Sequence, residues 1–217
     1  MTLCGFVEVG EQWDDEDGLE TIFEVNWHNP GMAHPDARWS AEFPVLFETT
    51  WADYADCDLS FTIRPVPDVL VSRFHLVAVT GKGEVIVCRS IQGWRFLPGG
   101  TREHGETLAE LARRELREEA GAETVGDVRT FASHVADSLR TDPYRAHLPH
   151  PRTYWSYGVT QAELVGPPSN PDHGEHVVEV LTLAPCEAAH YIGEHDALHA
   201  DVIRLAQAMG LVEASGR

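Results

Sequence analysis

Three glutamates close together in one helix-forming stretch are the residues most able to do chemistry: Glu115, Glu118 and Glu119. The stretch has its own start and stop signals. Thr107-Leu108-Ala109-Glu110 fits a capping box, in which the threonine hydroxyl caps a backbone N–H and the glutamate reaches back. Gly121, just after Ala120, fits a C-terminal stop. At about 100° per residue, Leu108, Leu111, Ala112 and Leu116 fall on one side of a helix over Thr107–Ala120. Glu110, Arg113 and Arg117 fall on the other, with Arg114 near the edge. Glu115 and Glu119, one turn apart, project into the apolar stripe, and Glu118 sits at its margin. An unpaired buried charge costs several kcal/mol or forces protonation, and converging carboxylates repel one another. A hard divalent cation such as Mg²⁺ removes both penalties. The helix alone leaves a second reading open, in which the glutamates face water or pair with arginines.

The wider spacing separates the two readings. Gly100 is followed after five residues by Glu106, and after seven more by Arg114-Glu115-Leu116-Arg117-Glu118-Glu119-Ala120-Gly121. This resembles the Nudix box, Gly-x5-Glu-x7-Arg-Glu-U-x-Glu-Glu-x-Gly-U, at every fixed position. With usage near 7% per residue type, seven fixed residues would coincide by chance on the order of once in 10⁸ starts. Leu97-Pro98-Gly99 looks like the family's lead-in. One position departs: the last U is normally bulky and aliphatic, and here it is Ala122. That touches packing after the helix and leaves the metal ligands alone. The family's order of strands and helices fits residues 67–217, while the first 66 residues have no counterpart in its core.

The resemblance implies a Mg²⁺-dependent hydrolase, with Mn²⁺ as a substitute, that cleaves the diphosphate of a nucleoside diphosphate linked to another group. ADP-ribose, a dinucleoside polyphosphate and a nucleotide sugar are the substrate types implied. Carried over by position, Glu115 and Glu119 resemble the principal metal ligands, Glu118 a third ligand or the base, and the Gly99 carbonyl a further ligand. Glu106 and Arg114 resemble the internal pair that fixes the loop onto the helix, with Gly100 and Gly121 as structural glycines. The family often adds a late carboxylate; Glu175 stands where it would enter, with Glu179 and then Glu163 behind it. Arginines make bidentate contacts to phosphate. The candidates are Arg73, Arg89 and Arg152, together with Arg140 and Arg145. His147–Trp155 offers His, Arg, Tyr and Trp that could stack on a base, or equally a Pro-rich crossover with a buried Trp155. A non-catalytic nucleotide-sensing Nudix domain is the alternative, disfavoured because such domains usually lose box carboxylates.

The elements that must position these residues are readable in outline. Val69–Val79 and Glu84–Cys88 around Thr80-Gly81-Lys82-Gly83 read as a hairpin. Further strands are expected near Asp127–Val135, Arg152–Ala162 and His176–Leu183, and helices near Cys186–Tyr191 and His195–Met209. The fold class is therefore α/β (α+β), a Nudix-type α/β/α sandwich with a mixed sheet. The chain has 217 residues and a net charge of −19, of which −12 falls in residues 1–66 (14 Asp+Glu against Arg38 and Arg64). That segment also holds Trp13, Trp27, Trp39 and Trp51. Disordered acidic tails are poor in aromatics, so residues 1–66 are expected to form a β-rich N-terminal extension or small subdomain ahead of a hydrolase domain at 67–217. So acidic a chain repels phosphate backbones, which argues against nucleic-acid partners, including an RNA-decapping role. Any phosphate chemistry must bring in cations. Cys4, Cys57, Cys88 and Cys186 form no metal or redox motif and read as reduced thiols. No segment approaches the roughly 20 apolar residues of a membrane span, and the N-terminus is unlike a signal peptide. The expectation is a cytoplasmic protein, compatible with a homodimer.

Overall fold

In a computed structural model of the chain, residues 6–14, 18–25, 36–171, 174 and 176–212 are described. The chain divides between Ala37 and Arg38 into two compact units. The first contains an antiparallel hairpin of β1 (Phe6–Asp14) and β2 (Gly18–Val25), with a register irregularity between Glu8 and Gly10. The second unit carries everything else, including residues 38–66, which were grouped by sequence with the acidic extension. They supply α1 (Ala37–Glu42, whose first residue belongs to the first unit), α2 (Pro44–Phe47), β3 (Thr50–Ala52) and β4 (Cys57–Thr62). The two strands join the main sheet, because β4 pairs antiparallel with the later strand β10 (Arg129–Ser138), from Cys57↔Ser138 to Thr62↔Ser133.

The described residues of the larger unit form a mixed ten-stranded sheet. Its remaining strands are β5 (Val71–Val79), β6 (Val85–Ser90), β7 (Arg95–Phe96), β8 (Gly99–Thr101), β9 (Ala122–Thr124), β11 (Arg152–Leu164) and β12 (Val177–Leu183). The main path runs β12-β6-β5-β11-β10-β4-β3. Strands β5 and β11 pair in parallel at its centre and the other pairs on this path are antiparallel. Helices cover both faces, which is why β5 reads as a nearly continuous apolar run. Its side chains alternate between two cores. Val77 and Val79, with Val85 and Val87 of β6, pack among residues of α4 (Pro185–Gly193) and α5 (Ala197–Ala208), together with Trp39, Phe43 and Leu46. Phe74, Leu76 and Ala78, with Ile86 and Cys88, pack against Leu108, Leu111, Ala112 and Leu116 of the box helix. The result is the α/β/α sandwich expected from the sequence. Cys57 and Cys88 are buried free thiols and Cys186 is an exposed one; Cys4 lies outside the described residues.

Candidate active site

The box helix is anchored at both ends as its sequence requires. Helix α3 (Leu108–Glu115) starts at Thr107, whose side chain accepts from the Glu110 N–H, while the Thr107 N–H donates to Glu110 Oε2 at 2.8 Å. From Leu116 to Ala120 the helix widens into a π turn. Such turns are rare and concentrate at functional sites, and this one contains Glu118 and Glu119. The buried Cys88 thiol, a weak donor, reaches the Glu119 carbonyl at 3.4 Å. Gly121 ends the helix at φ +60°, donating to the Leu116 carbonyl. A Cβ at Gly121 would lie 2.2 Å from the Gly166 carbonyl oxygen, so no other residue fits without movement. Ala122, where the box usually has a bulky residue, is fully buried and pairs with Leu164 at the start of β9.

Glu115 and Glu119 are buried, at 6% and 5% exposure, although both are carboxylates. Burial pushes Glu115 above the ordinary carboxylate range, and Arg114 opposes the shift. Each carboxylate has an orienting partner. The Gly99 N–H donates to Glu119 Oε2 at 2.9 Å. Arg114 Nη1 donates to Glu115 Oε1 at 2.7 Å and to Glu118 Oε2 at 3.3 Å. The other edge of the same guanidinium grips Glu106 bidentately, at 2.8 and 3.1 Å, and the Thr101 carbonyl at 3.1 Å. Glu106 and Arg114 therefore pair between the loop and the helix, the contact that the resemblance implies. Gly100 leaves room at the centre, since a Cβ there would lie 2.2 Å from Glu115 Oε1.

All of these residues except Glu106 wall a groove of about 560 Å³ that also includes Arg73, His75, Trp94, Tyr144, Arg145 and His176. Among the described residues no three of His, Cys, Asp and Glu stand in a preformed coordination geometry; a guanidinium bridges two of the carboxylates instead. In type and clearance, however, the donors suit a hard divalent cation. Four carboxylates, those of Glu103, Glu115, Glu118 and Glu119, share one groove, two of them buried, and a glycine keeps space open beside Glu115. Of the late-carboxylate candidates, Glu175 lies outside the described residues. Glu179 is engaged on β12 by Arg89 at 2.8 Å and by the Tyr191 hydroxyl at 3.2 Å. Glu163 lies opposite Glu123, where β11 meets β9. The arginine candidates separate as well. Arg73 and Arg145 line the groove. Arg89 is committed to Glu179, and Arg152 is paired with Asp137 through two contacts at 2.6 and 2.9 Å. Neither Arg89 nor Arg152 lines the groove.

Two features go beyond the sequence reading, the first of them drawing on the His147–Trp155 stretch that was expected either to stack on a base or to form a crossover. A second cavity of about 210 Å³ opens beside the groove, and Arg73 and Tyr144 line both. Its aromatic wall is Tyr54 stacked on Trp155, with ring centroids 6.0 Å apart and planes 26° apart. The second feature is a cluster of His75, His134, Tyr157 and His199. His75 and His199 rings lie 4.8 Å apart, and His134 Nδ1 is 3.0 Å from the Tyr157 hydroxyl. Burial lowers all three histidines, His134 to about 4, and pushes the tyrosine up. Strand pairing sets Trp155 opposite Arg73 and Tyr157 opposite His75, while Tyr54 comes from the turn before β4 and His199 from α5, so no short-range spacing unites either group.

The chain can now be set beside known proteins. Residues 69–206 match the NUDIX domain family. No curated protein sequence matches the chain. Among solved structures, a point mutant of the Bacillus subtilis pyrophosphohydrolase BsRppH aligns with a TM-score of 0.55 at 14% identity, covering 76% of this chain and 99% of that one. The MutT protein of Methanosarcina mazei Go1 aligns with a TM-score of 0.42 at 17% identity, covering 67% and 99%. The Nudix hydrolase RenU of M. smegmatis aligns at 0.41 and 19%, covering 64% and 87%. The family match spans well over half of the 217 residues and includes the entire box. The chain belongs to the Nudix family of hydrolases.

Proposed function

We propose that the protein is a Mg²⁺-dependent diphosphatase acting on a nucleoside diphosphate linked to a second group, of the ADP-ribose, dinucleoside polyphosphate or nucleotide-sugar type. The observation that carries this reading is the pair of buried carboxylates, Glu115 and Glu119, on the wall of an open groove. Buried carboxylates with one guanidinium between several of them are poorly compensated, and a divalent cation is the natural complement. Glu115, Glu118, Glu119 and the Gly99 carbonyl would hold it, with Mn²⁺ as a substitute. When bound, the cation supplies positive charge to the diphosphate oxygens and acidity to water.

The chain's own groups do the rest. Glu106 holds Arg114, and Arg114 orients Glu115 and Glu118. The Gly99 N–H orients Glu119. Glu118, the most exposed of the three at 22% of its side chain, would serve either as a third ligand or as the acceptor of a proton from attacking water. Arg73 and Arg145 bring cations to the groove for phosphate oxygens. Glu175 is proposed as a further carboxylate, because its chain neighbours Gly174 and His176 line the same groove. No described helix is long and apolar enough to cross a membrane. A cytoplasmic enzyme without nucleic-acid partners, compatible with a homodimer, remains the proposal.

A panel of ADP-ribose, diadenosine polyphosphates and nucleotide sugars, incubated with Mg²⁺ or EDTA and read by product identity, tests this function. Two phosphate-bearing products from at least one compound, formed only with the metal, are expected. Metal-independent turnover, or cleavage of bonds other than the anhydride, would count against it.

A further inference from the structure

The cavity beside the groove differs from the rest of this chain in its charge. The protein carries 35 acidic and 16 basic side chains, yet among the described residues no carboxylate lines this cavity, while Arg73, Arg140 and His150 do. Its walls are otherwise aromatic and apolar, with Tyr54, Trp155, Leu148 and Pro149 among them. Arg73 ties the aromatic wall together. Its Cζ lies 4.5 Å from the Trp155 ring centroid and 5.5 Å from that of Tyr54, and Nη1 donates to the Tyr54 hydroxyl at 3.2 Å. Arg140 donates to the Tyr54 carbonyl at 3.1 Å. Two guanidiniums and a stacked pair of rings, with no carboxylate on the described lining, suit a planar ring that carries an anion.

Size and position narrow the ligand further. At about 210 Å³, the cavity falls below the roughly 300–1,000 Å³ that houses a drug-sized ligand. It has room for one ring system and not for a whole dinucleotide. Arg73 and Tyr144 border both it and the groove, so a ligand can occupy the two together. Tyr54 is 66% exposed and Tyr144 63%; exposed rings on a cavity rim are available to stack on a guest. Tyr54, Ala55 and Cys57 precede residue 69, where the match to the family domain begins. The cavity is therefore closed in part by residues that precede the matched domain.

We propose that this cavity is the seat of the substrate's nucleobase, with Tyr54 as a specificity-determining contact. This rests on the diphosphatase reading and adds an orientation to it. The base stacks against Tyr54 and Trp155, its phosphate meets Arg73, and the diphosphate runs into the groove toward the box glutamates. The second substituent then lies toward Trp94 and His176, on the side of the groove away from the cavity.

The test compares binding of AMP, GMP, CMP and UMP with that of ribose 5-phosphate, which has the phosphate and sugar but no base. Isothermal titration calorimetry with Mg²⁺ would use the full chain. Base–aromatic stacking corresponds to about fivefold to a hundredfold in affinity. At least one nucleotide should bind more than fivefold tighter than ribose 5-phosphate. Tyr54→Ala, whose exposed side chain makes a folding defect easy to avoid, should bring that ratio close to one. Tyr54→Phe should keep most of it. Equal binding of ribose 5-phosphate and all four nucleotides would overturn the assignment, as would a ratio untouched by Tyr54→Ala. The two readings fail separately. A base preference without turnover of any diphosphate sinks only the enzymatic reading, and turnover without a base preference sinks only the pocket.

Discussion

Among individual residues, the telling fact is that Glu115 and Glu119 are carboxylates inside an apolar stripe and are buried there. The helical wheel exposed this conflict before any coordinates did, because the stripe of Leu108, Leu111, Ala112 and Leu116 needs only a 3.6-residue period. What the wheel could not show is how the conflict is managed, by one guanidinium and one backbone N–H. Gly100 gives a direct probe. Alanine there places Cβ against Glu115 Oε1, so Gly100→Ala should cut Mg²⁺-dependent turnover by at least about tenfold through displacement of a carboxylate proposed to hold the metal. Its melting temperature should change little, because only the end of a side chain has to move; steady-state rates and a thermal melt check both. A second residue-scale prediction concerns His134. Its folded-state value, about 4, lies below the ~6.5 of an exposed imidazole. The unfolded chain therefore takes up the proton first as pH falls. The stability held by the neutral ring is complete above about pH 6.5 and drains away toward pH 4, by roughly 3 kcal/mol in total. His75 and His199 are shifted the same way and steepen the loss. Thermal melts across this window should fall steeply for the wild type and less steeply for His134→Gln; parallel slopes would contradict the account.

Whole elements divide by length and by the range of their contacts. The hairpin of β5 and β6, the box helix and the two C-terminal helices announce themselves through apolar period and turn chemistry. The three-residue strands β8 and β9 are too short for any period to register. Helices α1 and α2 fell in a stretch read as β-rich, although Trp39, Phe43 and Leu46 stand at i, i+4 and i+7 and are all buried. Pro44 at the start of α2 breaks that pattern into two pieces. Strand β4 looked like part of an extension because its partner, β10, lies some seventy positions later. The part Tyr54 plays in the cavity it shares with Arg73 and Trp155 went unseen for the same reason, although His147–Trp155 reads as able to stack on a base. At the head of the box helix the structure matches the sequence closely, and the capping box there is complete. Thr107→Ala should therefore cost about 1 kcal/mol, a fall of about 2–4 °C in Tm for a chain of this size. An unchanged melt would mean the cap contributes nothing in place.

For the molecule as a whole, the boundary between its two units becomes an experiment. Cutting at Ala37/Arg38 leaves the larger unit entire. Cutting at residue 66/67, where the acidic segment was expected to end, removes β3 and β4 and with them the buried Trp39, Phe43, Leu46 and Phe61. A chain of residues 38–217 should fold cooperatively and keep its turnover, whereas one of residues 67–217 should aggregate or melt far lower. Similar melts for the two would show that residues 38–66 are dispensable to the core. The net charge of −19 links this scale to the chemistry, because a diphosphate can approach so acidic a protein only where cations are concentrated. The groove sets Arg73, Arg114 and Arg145 against Glu103, Glu115, Glu118 and Glu119, so on this account a divalent metal supplies the excess of positive charge. The most direct test is the Mg²⁺-dependent turnover of the best compound in the diphosphate panel by wild type and by Glu119→Gln, which keeps the shape of the side chain and removes its charge. The account predicts a loss of at least about a hundredfold with the melting temperature held or raised. Undiminished turnover in the folded variant would contradict it.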